Sequence, residues 1–191
     1  MNFDIDTAGV IRLADAFGAN IKQMRRAETR ALNKSIKWGV GKIAREVGKE
    51  VKIPAKLIKQ RVRGFKATRR KARARIYAGL NAIKAKRLGK VRQLKKGVRA
   101  GRHTFKGAFV TATSNAHTGI FERTGEKKRT MKSGSYAGKN VKREPIREVE
   151  LDINTQSVTA IIDKWFGRIQ ERFFEIFKRE LKYEVFVKAN A

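Results

Sequence analysis

The side chains in this sequence whose chemistry stands out are the lysines and arginines between Glu50 and Glu122, a stretch without any Asp or Glu. Twenty-one Lys and Arg residues fall in this stretch, and all of them precede residue 107. Their ammonium and guanidinium groups bind phosphate or carboxylate oxygens. Like charges at close spacing also repel one another and weaken the folded state. The stretch therefore predicts a polyanionic partner.

The contacts to that partner are expected from two basic segments without apolar periodicity, residues 64–71 and 89–106, and from the residues just before the first. The candidates for contact with DNA or an acidic partner are Arg61, Arg63, Lys66, Arg69, Arg70, Lys71, Arg92, Lys95, Lys96, Arg99, Arg102 and Lys106. Each phosphate that they neutralise releases counterions, so affinity for nucleic acid should fall steeply with salt. Phe65, Tyr77 and Phe105 are too scattered along the sequence to predict stacking on single strands.

Few residues suit catalysis. Neither His103 nor His117 has an acidic neighbour in the sequence that would orient its ring, and no zinc-hydrolase, phosphate-loop or nucleophile-elbow motif occurs. A metal-dependent nuclease needs clustered carboxylates, whereas the acidic residues between 144 and 152 alternate like the solvent face of a strand. We therefore expect no enzyme, no catalytic or metal-binding residue and no cofactor.

Composition indicates a folded, basic protein. The chain has 47 Lys and Arg against 17 Asp and Glu, a net charge of +30, and 41% hydrophobic residues. This apolar content separates it from disordered chains. It has no cysteine, which fits a reducing cytosol. No apolar run reaches the roughly 20 residues that span a bilayer, and Asp4 and Asp6 stand where a signal peptide is basic. We expect one domain over residues 1–191, neither secreted nor membrane-embedded.

Helical periodicity predicts the N-terminal elements. From about residue 8 to residue 48 apolar residues recur at helical spacing, as one long helix or two in series. Gly18, Gly39 and Gly41 mark breaks in this pattern or places where another backbone approaches closely. Pro54 then suits the first turn of a short helix that extends to about Val62.

The strongest apolar periodicity in the sequence predicts a C-terminal helix. Asn154 or Ser157 caps it, and a broad apolar stripe continues to about Tyr183. The simplest interpretation of this stripe is a core that packs on a sheet, and a subunit interface is the alternative. The assembly-interface candidates are Trp165, Phe173 and Phe177.

Alternation predicts short strands between the helices. A half-buried strand at residues 73–78 is expected to pair with a second one that contains Ile83, Ala85 and Leu88. Residues 89–107 carry four glycines among Lys and Arg, which favours a mobile loop or a long hairpin, poorly ordered without a partner. Residues 108–112 and 119–123 read as two strands, and Pro145 opens a later strand.

The sequence thus predicts an α+β fold, in which long N-terminal and C-terminal helices pack on a small, mostly antiparallel sheet with extended basic loops. Its parts are a helical part (8–63), basic strands and loops (64–107), a sheet with an enlarged loop at 124–142 (108–153) and the C-terminal helix (154–183).

The order of these segments resembles the minor tail protein Z family of long-tailed bacteriophages, the tail-completion protein of lambda-like tails. The resemblance covers roughly residues 31–181. It rests on the segments ALNK (31–34), ARE (44–46), LIKQR (57–61), ARI (74–76), GAF (107–109), GIFER (119–123) and REPI (143–146), on the basic loop and on the closing helix. The enlarged loop from Glu126 to Lys142 departs from the family pattern.

The resemblance implies a virion structural subunit at the head-proximal end of the tail, assembled in the host cytoplasm. Its implied partners are the tail terminator, the tail tube and the head connector, with the packaged DNA end as a further one. The family brings no cofactor or reaction. A homo-oligomeric ring with the symmetry of the tail is expected, because tails are built from closed rings.

A different class of function stays open. The composition also fits a sequence-nonspecific DNA- or RNA-binding protein of the nucleoid or ribosomal type. Within it, residues Lys42 to Arg63 are a weaker candidate for a helix-turn-helix. The long apolar C-terminal helix favours assembly over a protein that mainly coats nucleic acid.

Overall fold

A computed structural model describes residues 7–68, 70–112, 118–125, 129–130, 134, 140–141 and 146–188. The chain divides into two compact units. The helical unit consists of Met1–Val51, Ala55–Leu80 and Asn154–Ala191, and the sheet unit consists of Lys52–Pro54 and Asn81–Ile153. None of the helices in the described ranges is long and apolar enough to cross a membrane.

Two helices in series form the N-terminal part of the helical unit, α1 (Thr7–Ala16) and α2 (Ile21–Glu50). They separate at Gly18, whose φ of +61° is in the left-handed region that favours glycine. Asn20 then starts α2 with a capping box. Its Oδ1 accepts from the backbone N–H of Gln23 at 2.9 Å, and the Gln23 Oε1 accepts from the backbone N–H of Asn20 at 2.9 Å. Two helices are therefore present, and Gly39 and Gly41 lie inside the second.

The C-terminal helix α4 (Thr155–Lys182) packs against α2. Asn154 caps it by accepting from the backbone N–H groups of Gln156 and Ser157. A π-helical turn, Tyr183–Val187, follows directly. The apolar stripe that the sequence predicts is buried, namely Val158, Ile162, Trp165, Ile169, Phe173, Ile176, Phe177 and Leu181.

The three assembly-interface candidates lie in this core. Phe173 and Phe177 are 0% exposed, and their rings stack with centroids 5.6 Å apart. Trp165 is 8% exposed and meets the ring of Trp38 edge to face at 5.5 Å. Because α2 and α4 bury these rings against each other, their positions agree with the interpretation of the stripe as core.

A short helix, α3 (Ala55–Arg61), leads directly into the strand β1 (Val62–Phe65), which pairs antiparallel with β2 (Arg75–Ala78). The inner face of this two-stranded ribbon lies on α2, since a Cβ added at Gly64 would be 2.5 Å from Cγ2 of Ile36. At 3.6 residues per turn, the seven residues of α3 make less than two full turns. The helix-turn-helix that residues 42–63 weakly suggest would have this short helix as its second helix, followed at once by β1.

The described residues of the sheet unit form four small antiparallel sheets. Its strands are β3 (Ile83–Lys84), β4 (Val91–Leu94), β5 (Gly97–Ala100), β6 (His103–Lys106), β7 (Phe109–Ala112), β8 (Thr118–Arg123), β9 (Arg129–Thr130), β10 (Asn140–Val141), β11 (Ile146–Glu148) and β12 (Glu150–Leu151). The strand orders are β4-β5-β6, β11-β8-β7, β12-β3 and β10-β9. Long helices and small antiparallel sheets confirm the predicted α+β class.

Several strand predictions are confirmed and two are wrong. The strands expected at 108–112 and 119–123 are β7 and β8, and they pair. The strand expected to pair with β2 does not: β2 pairs with β1, and Ala85–Leu88 form a 3₁₀ helix after β3. Of the two alternatives for residues 89–107, the mobile loop is wrong and the hairpin is confirmed in kind, because β4, β5 and β6 pair there as two successive hairpins. Pro145 and most of residues 124–142 lie outside the described residues.

Candidate nucleic-acid interface

We call the sheet β4-β5-β6, residues Val91–Lys106, the basic meander. Two-residue turns join its strands, and a glycine lies next to the first turn and within the second. Gly97 has φ +148°, and a Cβ there would overlap the carbonyl oxygen of Phe105. Gly101 has φ +59°, and a Cβ there would lie 2.5 Å from the carbonyl oxygen of Leu88. The glycines that suggest a mobile loop in the sequence instead permit close backbone approach within a sheet.

The register of the basic meander sorts its side chains by face. Arg92 lies opposite Arg99 in β5, and Lys106 lies opposite Gly97. Directly opposed residues share a face, and alternate residues along a strand do so too. Arg92, Arg99 and Lys106 therefore occupy one face, and all three are exposed. The other face carries Val98 and Ala100, both 0% exposed.

The remaining predicted cations of this segment lie at its turns. Lys95 and Lys96 form the turn between β4 and β5, and Arg102 lies in the turn between β5 and β6. All three are exposed. The structure thus places all six of the predicted contact residues between 92 and 106 on one small sheet.

These six cations have no acidic partner within the described ranges of the chain. The guanidinium Nε of Arg99 donates to the carbonyl oxygen of Gly101 at 3.4 Å. Arg92 and Arg99 stand directly opposite each other, and like charges at this spacing destabilise a sheet. An anion bound across the face would remove that repulsion.

Two acidic residues described in the sheet unit form ion pairs outside the meander. Glu122 pairs with Arg147, with 2.5 Å between Oε1 and Nε. Glu148 pairs with Lys84, with 2.5 Å between Oε2 and Nζ. The hydrogen bond that Lys84 donates to Glu148 raises the pKa of Lys84 above its ordinary value. These carboxylates stabilise strand contacts and do not neutralise the meander.

A side chain fixes the meander to the neighbouring sheet. The amide Nε2 of Gln93 donates to the carbonyl oxygen of Gly97 at 2.9 Å, and its Oε1 accepts from the backbone N–H of Val110 at 3.0 Å. Val110 is in β7. The cationic face is therefore held on a supported sheet, which favours a preorganised binding surface.

The other predicted cations belong to the helical unit. Arg61 ends α3 and is half-buried, and Arg63 is exposed on β1. Lys66, Arg70 and Lys71 are exposed in the segment that links β1 to β2. Arg69 lies outside the described residues. The predicted set is thus divided between the two units.

The segment that links β1 to β2 is anchored to α2. Asn33 donates from Nδ2 to the carbonyl oxygen of Ala67 at 3.1 Å, and its Oδ1 accepts from the backbone N–H of Ala67 at 2.8 Å. Thr68 and Lys71 exchange two backbone hydrogen bonds, of 3.0 and 3.1 Å. These contacts give the basic side chains of the segment a defined backbone.

Sequence reasoning missed a feature of the ribbon β1–β2. Phe65 and Tyr77, twelve residues apart in the chain, lie on the same outer face and are 56% and 58% exposed. They line a cleft of ≈ 430 Å³, called the ribbon cleft, together with Lys66, Thr68, Lys71, Arg73, Arg75 and Ile76. The signal available in the sequence was the alternation of side chains along a strand. Arg63 and Phe65 share one face of β1, and Arg75 and Tyr77 share one face of β2.

The histidines do not form a catalytic or metal site with acidic residues in the described chain. His103 is half-buried in β6, with its ring centroid 6.5 Å from that of Phe105. His117 lies outside the described residues. No group of three or more His, Asp or Glu residues that could hold a metal ion occurs among the residues described.

Comparison with known families agrees with the resemblance noted in the sequence. A model of the family described as prophage minor tail protein Z (GPZ) matches residues 19–186. Searches of curated proteins and of solved structures gave no significant match. The match begins before α2 and ends beyond α4, so it covers most of the chain. The protein therefore belongs to the prophage minor tail protein Z family and is a structural component of a phage tail.

Proposed function

We propose that this protein completes the head-proximal end of the tail. There it joins the tail terminator or tail tube to the head connector, in the neck of the virion, and helps to hold the end of the packaged genome. Family membership supports a place in the tail. The basic meander is the observation that carries the contact with DNA, and no enzymatic step is needed for either role.

Charge density favours DNA over an acidic protein as the partner of the meander. Neighbouring strands lie about 4.8 Å apart, so the cations on the outer face are spaced closely in two dimensions. Double-stranded DNA carries one negative charge per about 1.7 Å of its axis, and it can engage several of these cations at once. Arg and Lys contacts to phosphate carry no sequence information. We expect binding without sequence preference.

A closed ring of copies would repeat this surface around a tail channel. Rings arise from head-to-tail interfaces whose rotation closes. In such a ring each copy of the meander would add its cations to the same DNA segment, and the affinities would combine. The tail role also accounts for the basic composition without a nucleoid or ribosomal function.

The DNA contact is tested by salt-dependent binding to duplexes of unrelated sequence. If about eight phosphates are contacted, affinity should fall roughly 10³- to 10⁵-fold between 50 and 200 mM salt. The double variant Arg92→Gln/Arg99→Gln should reduce the slope of log affinity against log salt by about two. Lys37→Gln/Lys178→Gln removes two exposed cations of the helical unit and is the matched control. Equal slopes for the two variants would refute the contact through the meander.

The joining role is tested by assembly. Tails made without this protein should fail to form infectious particles with filled heads, and added protein should restore joining, as counted by electron microscopy and plaque assay. Normal joining in its absence would refute the role in tail completion, whatever the DNA-binding result.

A further inference from the structure

The ribbon cleft combines two kinds of side chain that the basic meander does not combine. Phe65 and Tyr77 present aromatic surface to solvent on the outer face of the ribbon. Lys71, Arg73 and Arg75 line the same cleft and are exposed. The cleft therefore offers ring faces and positive charge at one place.

The two rings are left open by the fold. Neither Phe65 nor Tyr77 contacts another aromatic ring within the described part of the chain. Their neighbours on the inner face, Val62 and Ile76, supply the packing on α2 and are 4% and 3% exposed. Folding of the helical unit therefore does not explain two large aromatic side chains on the outer face.

The cations of the cleft are also left without acidic partners by the described residues. Lys66, Lys71, Arg73 and Arg75 form no ion pair there, and the chain has no Asp or Glu from residue 51 to residue 121. The segment that carries Lys66 and Lys71 is held to α2 through Ala67. A ligand would find these charges on a backbone that is already ordered.

The chemistry of the cleft selects among polyanions. The carboxylates of an acidic peptide would neutralise the cations but offer no flat surface that stacks on the rings. In a duplex the faces of the bases are stacked on one another and cannot meet a side chain. An unpaired nucleotide presents a base face and a phosphate together, and single-strand-binding proteins use this combination of aromatic platforms and a basic groove. The volume of ≈ 430 Å³ is within the range of small-ligand sites.

We propose that the ribbon cleft binds single-stranded nucleic acid, with a base stacked on Phe65 or Tyr77 and the adjoining phosphates held by Lys71, Arg73 and Arg75. This goes beyond the proposed function, which needs only contacts to duplex phosphates through the sheet unit. The cleft belongs to the helical unit, and its binding would hold even if the meander met no DNA.

The test uses the full-length protein and fluorescent oligonucleotides of about 12 nucleotides, a length within the range of single-strand sites. Oligo(dT), oligo(rU) and a mixed-sequence duplex of the same length are compared by anisotropy. The comparison is made in the full-length variant Arg92→Gln/Arg99→Gln, so that the meander does not dominate binding of the duplex. Tighter binding of both single strands than of the duplex is expected there, and the ratio between oligo(dT) and oligo(rU) distinguishes DNA from RNA as the source of the strand.

Variants separate the rings from the charges. Phe65→Leu/Tyr77→Leu keeps apolar bulk on an exposed face, so the fold should persist. It should weaken single-strand affinity about 5- to 100-fold for each stacked base while leaving the salt slope unchanged. The matched control Tyr183→Leu/Phe186→Leu removes two other exposed rings of the same unit and should bind as the parent does. Melting curves verify that each variant is folded.

Photo-cross-linking gives a second measurement. An oligonucleotide with 5-iodouracil should cross-link to the peptide that contains Phe65 or Tyr77, and it should still do so in Arg92→Gln/Arg99→Gln. Two results would overturn the proposal: single strands that bind no tighter than the duplex in Arg92→Gln/Arg99→Gln, or a folded leucine double variant with the parent's single-strand affinity. Either could occur while the meander still binds duplex DNA, so failure here is distinct from failure of the proposed function.

Discussion

Two glycines of α2, only two residues apart, should respond in opposite ways to the same substitution. A Cβ added at Gly41 meets nothing within 4 Å. A Cβ added at Gly39 would overlap Cδ1 of Ile169 and lie 2.6 Å from its Cγ1. Ile169 belongs to α4 and is 0% exposed, so it has little room to move. At Gly39, therefore, the backbone of α2 packs against the side chain of Ile169 without room for a methyl group.

The magnitudes follow from helix propensity and packing. Gly→Ala in the interior of a helix gains about 1 kcal/mol, and this gain applies equally to both positions. Gly41→Ala should therefore raise the free energy of unfolding by about 1 kcal/mol, or the melting temperature by about 2–4 °C. Overpacking of a core costs about 1–3 kcal/mol, so Gly39→Ala should be less stable than Gly41→Ala by that amount.

Urea denaturation followed by tryptophan fluorescence measures both variants against the parent. Ile169→Ala removes the two atoms that the new methyl group would meet. In that background Gly39→Ala should become stabilising, which gives a favourable interaction energy in the double-mutant cycle. If Gly39→Ala alone stabilises the protein as much as Gly41→Ala does, the close packing of α2 on α4 at this point is refuted.

Two further predictions concern contacts of the helical unit. Hydrogen bonds from Lys164 and then from Trp165 hold the pKa of Glu46 below its ordinary value. The stability they contribute is present above the pKa of the unfolded carboxyl and is lost as pH falls through the lower folded pKa. Glu46→Gln should therefore lessen the decline in stability between about pH 5 and 3, and identical acid titrations of variant and parent would contradict this. Asn33→Ala removes both hydrogen bonds to Ala67 and should cost about 1–3 kcal/mol. Amide exchange at Ala67 should then quicken, and unchanged protection would show that other contacts hold the segment.

The helices could be predicted because their signals are local. The capping residues Asn20 and Asn154 and the apolar stripe of α4 all lie within a few residues of the structure they specify. The sequence also indicated that Gly18, Gly39 and Gly41 are special. It did not distinguish the three roles. The break at Gly18 depends on the backbone conformation of Gly18 itself, whereas the need for glycine at position 39 depends on Ile169, 130 residues later.

The basic meander could be predicted only as one of two alternatives, a long hairpin or a mobile loop, because its signals are non-local and weak. Its strands are four residues long, and only Val98 and Ala100 are fully buried. Gly97 and Gly101 resemble loop glycines until the approach of Phe105 and Leu88 is known. The pairing of β1 with β2 was missed for the same reason, and with it the convergence of Phe65 and Tyr77.

Several described acidic groups form ion pairs within their own unit. In the helical unit, Glu180 of α4 pairs with Lys34 and Arg30 of α2, and the buried Glu184 lies 2.7 Å from Arg30.

Two surfaces of differing chemistry remain for a partner. The meander offers closely spaced cations on a flat face, where the Debye length of about 8 Å at physiological salt leaves their repulsion incompletely screened. The ribbon cleft adds exposed rings to its cations. A duplex can neutralise the cations of the meander. An unpaired strand can both stack a base on a ring of the ribbon cleft and neutralise the cations of that cleft. The two proposals therefore predict that one chain handles nucleic acid in both forms, through separate sites that separate variants can disable.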